Sequence, residues 1–255
     1  MHLALIDHSR TAGTKGTPTF STQRDLPTEL YLPTTLAPRP IILFSHGNNG
    51  NPKKFTQLLE AWAKAGYVVA APRFPRTSNE GTYDFLDYPK QPGDISFVLD
   101  ELLKSKFRSN IDTTRVGAAG LSLGGGTTYA LIDNPCCSDR RIRAAAVFDG
   151  LQFGHNQPFH TNSVPILIMH IDTDFVLPYT TAVDAYRRAS SPKYLVTLHV
   201  GIHPEPYEDT PSVHDATVIK VSIDFWDAML FGDTIARARI VSDGTVAGES
   251  KAVAG

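Results

Sequence analysis

The chain has 255 residues, 42% of them apolar and 20% charged, a globular composition long enough for one large α/β domain or two small ones. Twenty-four basic against 26 acidic side chains give a net charge of −2 with no long run of either sign, which argues against nucleic acid or an anionic membrane as partner. No apolar run reaches the ~18 residues of a spanning helix, so no integral membrane association is expected. The two cysteines, Cys136 and Cys137, are adjacent, which excludes a disulfide scaffold and a cysteine zinc site and makes a bond between them unexpected.

The segment Met1-His2-Leu3-Ala4-Leu5-Ile6-Asp7 lacks the basic start and long apolar stretch of a secretory leader. The expectation is a cytoplasmic protein, with an exported form whose leader has been removed as the alternative. Short β-branched runs then predict strands over 3–6, 29–32, 41–45, 68–71, 116–119, 144–148, 166–170 and 195–200. The middle runs are apolar throughout, the pattern of strands covered on both faces. The first two are shorter and more polar, as edge strands would be. Helical spacing predicts helices over 52–65, 92–107, 123–132, 179–189 and 213–230. This alternation predicts an α/β fold with a mostly parallel sheet of about eight strands and helices on both faces. No linker or repeat interrupts it, so residues 1–255 read as a single domain. The loop 72–91 is long, polar and aromatic, and 149–163 is a second irregular stretch on the same side of the sheet.

Gly120-Leu121-Ser122-Leu123-Gly124 fits G-x-S-x-G between a predicted strand and a predicted helix, the context that motif needs. The glycines allow a turn too tight for a Cβ, the serine projects above the sheet edge, and the helix start favours developing negative charge there. A serine nucleophile requires two backbone N–H donors for its oxyanion. Leu123, after the serine, supplies one, and Asn48 in His46-Gly47-Asn48-Asn49-Gly50 the other. His46 reads as a loop-ordering residue.

The serine also needs a base and an orienting acid, in the order Ser, Asp/Glu, His. Asp174 and Asp172 both follow the strand at 166–170. Asp174 is favoured because it lies deeper in the loop, before an anchoring Val176-Leu177-Pro178, whereas Asp172 suits a bond within the turn. Asp149 ranks third. For the base, His203 sits in a loop just past a strand and leads His214, at a helix start, and His199, within the strand pattern. His2, His8, His155, His160 and His170 read as surface or structural residues.

On these motifs the chain resembles the α/β-hydrolase superfamily. Within it, it resembles the dienelactone hydrolase-like and platelet-activating-factor-acetylhydrolase-like esterases, related to bacterial cutinases and polyester hydrolases. Residues 39–47 look like that branch's third strand and oxyanion loop, 66–72 like its fourth strand, 91–100 like the helix before the nucleophile strand, and 224–233 like its closing helix. The resemblance implies a serine carboxylic-ester hydrolase with a Ser122–His203–Asp174 triad. Its partner is a small-molecule or polymeric ester, and no metal or organic cofactor is implied. Polyester or cutin hydrolysis, amide hydrolysis and a non-catalytic homologue are the other readings. Dienelactone hydrolases use a cysteine where Ser122 stands. Cutinase-like polyester hydrolases commonly carry aromatic residues where Asn48 and Leu121 stand. Asn49, Leu121, Tyr83, Phe85 and Phe153 are the candidate substrate contacts, with Tyr88 and Phe159 able to join them.

Overall fold

The computed structural model describes residues 1–35, 37–152 and 164–255. They build a nine-stranded sheet in the order β1-β2-β4-β3-β5-β6-β7-β8-β9. The strands are β1 (His2–Asp7), β2 (Arg24–Tyr31), β3 (Arg39–Ser45), β4 (Val68–Pro72), β5 (Ile111–Leu121), β6 (Ile142–Phe148), β7 (Ile166–Ile171), β8 (Lys193–Leu198) and β9 (Ser250–Ala254). Pairing from β4 through β8 is parallel, and β1, β2 and β9 add antiparallel margins. This is the α/β-hydrolase architecture.

Alternate residues of each buried strand face opposite helix layers, as the two-residue period dictates. Ile42 and Phe44 pack with α1 (Thr56–Lys64), α5 (Asp215–Trp226) and α6 (Thr234–Asp243), through Leu59, Trp62, Phe225 and Ile240. Ile41 and Leu43 face the other way, toward Ile95, Val98 and Leu99 of α2 (Gln91–Lys104). On that same face α3 (Leu123–Asp133) and α4 (Thr180–Arg188) cover Ala145, Val147 and Ile168. Trp62 Nε1 donates to Ser222 Oγ at 2.9 Å, so the largest side chain of α1 buries its ring without orphaning its N–H.

Three expectations need correction. First, β9 makes one edge and was not predicted, while β2 lies between β1 and β4 and is no edge strand. Second, α6 follows α5, so the helix capped by His214 is not the last. The predicted helices 52–65, 92–107 and 213–230 are also too long. Pro52–Phe55 and Lys106–Asn110 are separate tight 3₁₀ turns, and a π turn at Asp227–Phe231 ends α5. Third, Cys136 and Cys137 are joined by a disulfide. The chain turns there, with the Cys137 and Ser138 N–H groups on the Asn134 carbonyl, which brings neighbouring side chains to one side. No helix among the described residues is long and apolar enough to cross a membrane.

Candidate active site

Parallel strands that share a direction deliver their following loops to one edge of the sheet. β3, β5, β6, β7 and β8 bring Asn48, Ser122, Asp149, Asp174 and His203 to that edge. Ser122 occupies the turn from β5 into α3 with φ 55° and ψ −115°, a conformation costly for a residue with a Cβ. Two bonds hold it there: its N–H donates to the Phe148 carbonyl at 2.9 Å, and its own carbonyl accepts the Gly126 N–H at 3.1 Å. The turn closes only because residue 120 is glycine, since a Cβ there would stand 2.2 Å from the Gly124 carbonyl oxygen. Likewise α3 approaches β3 only because residue 124 is glycine, where a Cβ would stand 2.0 Å from the Ser45 carbonyl oxygen. Leu123 opens α3, and the first N–H groups of a helix have no partner within it.

Asp174 is buried and each carboxylate oxygen has its own work. Oδ1 accepts the N–H groups of Val176 and Leu177, at 2.7 and 3.0 Å, and Oδ2 lies 2.8 Å from His203 Nδ1. With Oδ2 as acceptor, Nδ1 carries the proton and Nε2 is left as the free base. His170 braces this loop from below, with Nε2 at 2.8 Å from the Leu177 carbonyl. His214 braces the base loop, with Nε2 3.2 Å from the Val200 carbonyl. Asp172 and His199 form a separate, half-exposed pair at 2.7 Å, and the second Asp172 oxygen accepts the Val200 N–H.

Asp149, ranked last from sequence, is fully buried within the same cluster. Its Oδ1 accepts the Ile171 N–H at 2.8 Å and the Tyr207 hydroxyl at 3.2 Å, and its Oδ2 lies 3.6 Å from His203 Nδ1. The signal was present in the sequence: an aspartate directly after an apolar strand at the site's edge. Burial alone would lower the His203 pKa, but the carboxylates of Asp149 and Asp174 outweigh it and hold the imidazole above its ordinary range. The Tyr207 hydroxyl, buried against Asp149, is held protonated well beyond its usual range. Ligand atoms of Asp149, His170 and Asp174 lie within 4.8 Å of one another. Asp149 Oδ1, His170 Nε2 and Asp174 Oδ1 are hydrogen-bonded to the chain, whereas Asp149 Oδ2 and His170 Nδ1 have no hydrogen-bond partner among the described residues.

In the loop after β3, His46 is buried and hydrogen-bonded at both nitrogens. Nδ1 donates to the Gly47 carbonyl at 2.7 Å and Nε2 accepts the Phe74 N–H at 3.1 Å, which requires the neutral ring. Burial accordingly lowers its pKa to about 4. Asn48 and Asn49 are exposed, Asn49 with φ 54° and its N–H on the Thr77 carbonyl at 2.7 Å. A Cβ on Gly47 would sit 3.3 Å from that of Ser122, so this loop lies directly beside the serine.

The candidate substrate contacts divide. Tyr83 is partly exposed and donates its hydroxyl to Asn48 Oδ1 at 2.9 Å. Phe85 is also exposed and packs on Tyr88. Leu121 instead points into the core, 1% exposed, because it ends a strand buried on both faces, and it offers no surface to a ligand. Phe153 and Phe159 lie outside the described residues.

Comparison with known proteins gives two matches. The profile of the chlorophyllase family, an α/β-hydrolase-like esterase family, matches residues 8–148, more than half of the chain. A bifunctional acetylxylan esterase/xylanase from Neocallimastix patriciarum is 31% identical over 156 residues. That alignment takes in 59% of this chain and 22% of the relative, so the chain matches only about a fifth of that protein's length.

Proposed function

The chain belongs to the chlorophyllase family, and from that membership together with the site geometry we propose that it is a serine ester hydrolase working through an acyl-enzyme. Both matches point to ester hydrolysis. The observation that carries the mechanism is a strained serine at the strand–helix turn on the same sheet edge as the hydrogen-bonded imidazole–carboxylate couple of His203 and Asp174. Ser122 Oγ attacks the ester carbonyl carbon as His203 Nε2 takes its proton. Asp174 fixes the imidazole tautomer and stabilises the imidazolium. The N–H groups of Leu123 and Asn48 receive the oxyanion. His203 then passes the proton to the leaving alkoxide, and water, activated by the same imidazole, releases the acid and restores Ser122.

The substrates we propose are short- to medium-chain neutral esters. The acetyl ester in the name of the Neocallimastix patriciarum relative makes short acyl groups the first to test. Apolar side chains support an ester with an apolar group, and a polymeric ester as the second reading. Phe175 beside Asp174 is 81% exposed, Ile202 beside His203 59%, and Leu86 in the loop with Tyr83 70%. A p-nitrophenyl ester series from acetate to dodecanoate, with wild type and Ser122→Ala, tests both statements. Wild type should favour the shorter chains and Ser122→Ala should lose activity by ~10³-fold or more. Retained activity in Ser122→Ala would overturn the mechanism, and a preference for the longest chains would overturn the substrate class.

A further inference from the structure

Gln91, the first residue of α2, is 1% exposed, and its amide hydrogen-bonds Thr77 and Thr127 rather than a triad residue. Both ends of its amide are occupied. Nε2 donates to Thr77 Oγ1 at 2.7 Å, and Oε1 accepts from Thr127 Oγ1 at 2.5 Å. Both threonines are buried, and each is linked to a segment that carries one of the proposed oxyanion donors. The Thr77 carbonyl holds the N–H of Asn49, next to Asn48. Thr127 lies on α3, and its hydroxyl is also 3.2 Å from the carbonyl of Leu123. One side chain thus spans the two segments that carry the Asn48 and Leu123 N–H groups. The span is rigid because Gln91 is itself clamped. Arg24, fully buried, binds Asp87 on one side of it and Asp94 on the other through both oxygens of each carboxylate, at 2.6–2.9 Å.

We infer that Gln91 is a positioning residue that sets the separation of the two oxyanion donors, and so the fit of the pocket to the tetrahedral intermediate. This rests on the serine-esterase reading above. A pocket tuned to the oxyanion stabilises the transition state more than the ground-state carbonyl. Loss of the bridge therefore lowers kcat and leaves KM in place, whereas a residue that merely stabilised the fold would change the melting temperature alone.

The test combines kinetics on p-nitrophenyl butyrate with affinity for an alkylboronic acid. Its trigonal boron accepts the Ser122 Oγ lone pair while the serine proton moves to His203, giving a tetrahedral anion in the oxyanion pocket. Gln91→Met keeps the volume and removes both links. It should lower kcat by ~10–100-fold, hold KM within about twofold, and weaken the boronic acid by a factor similar to the loss in kcat. Thr77→Val and Thr127→Val, which cut one link each, should each show part of the same loss. The Thr77→Val effect should largely vanish in the Gln91→Met background. Wild-type kcat and boronate affinity in Gln91→Met, or a loss confined to KM or melting temperature, overturns the inference. If Gln91→Met does not fold, the two threonine variants decide by the same criteria. Ser122→Ala separates the two layers: if it stays active, the esterase reading falls and this inference with it. If it is inactive while kcat survives in Gln91→Met, only the positioning role falls.

Discussion

His203 stands between two carboxylates, 2.8 Å from Asp174 and 3.6 Å from Asp149, and together they raise its proton affinity against the effect of burial. In the proposed mechanism the neutral ring is the base, so kcat/KM should rise with pH through that raised pKa. Asp149→Asn removes one charge, so the rising limb should move to lower pH. A limb that stays in place or moves up would contradict the assignment. Stability has the opposite sign. A folded-state pKa above the unfolded value of ~6.5 means protonated His203 stabilises the fold, fully below the unfolded pKa, and this is lost as pH rises through the folded one. The melting-temperature gap between wild type and His203→Gln should therefore narrow from pH 5 to pH 9. Asp174 is favoured over Asp172 in sequence because it lies deeper in the loop, before an apolar Val-Leu-Pro stretch; in the structure the N–H groups of Val176 and Leu177 hold its Oδ1. The place of Asp149 directly after an apolar strand was legible, but its distance from the same imidazole was not. It depends on how β6 and β7 stand side by side, which no local pattern encodes.

At the scale of elements, the strands β3 to β8 were readable because their runs are apolar on both faces, and the serine turn because its glycines sit at fixed spacing. Two elements were not. β9 is a five-residue edge strand with only one covered face. The run Thr234-Ile235-Ala236-Arg237-Ala238-Arg239 mixes small and charged residues, so α6 shows little apolar stripe. Its signal was at the ends instead: Gly232 in the left-handed region, then Asp233 accepting the N–H groups of Ile235 and Ala236. Asp233→Ala should therefore cost ~1 kcal/mol in denaturant unfolding, with kcat unchanged because α6 lies against the face away from α3. Unaltered stability would remove the cap from the account.

For the molecule as a whole, one buried cation joins distant parts of the chain. Arg24 on β2 is fully buried and meets Asp87 and Asp94 near the start of α2, tying the antiparallel margin to the layer that carries the nucleophile helix. Arg24→Met would leave two buried carboxylates without their main counter-charge, and urea unfolding should show a loss of ~3–5 kcal/mol. A loss below ~1 kcal/mol, the range of exposed pairs, would mean that the cluster is solvated in solution. The near-neutral net charge of −2 agrees with a site for uncharged esters. The most direct test of that site is the mass of the whole chain after reaction with a fluorophosphonate, followed by peptide mapping. One phosphonyl group per chain is expected, carried on Ser122, with hydrolysis lost in step. An unlabelled chain that still cleaves esters, or an adduct on another residue, would contradict it.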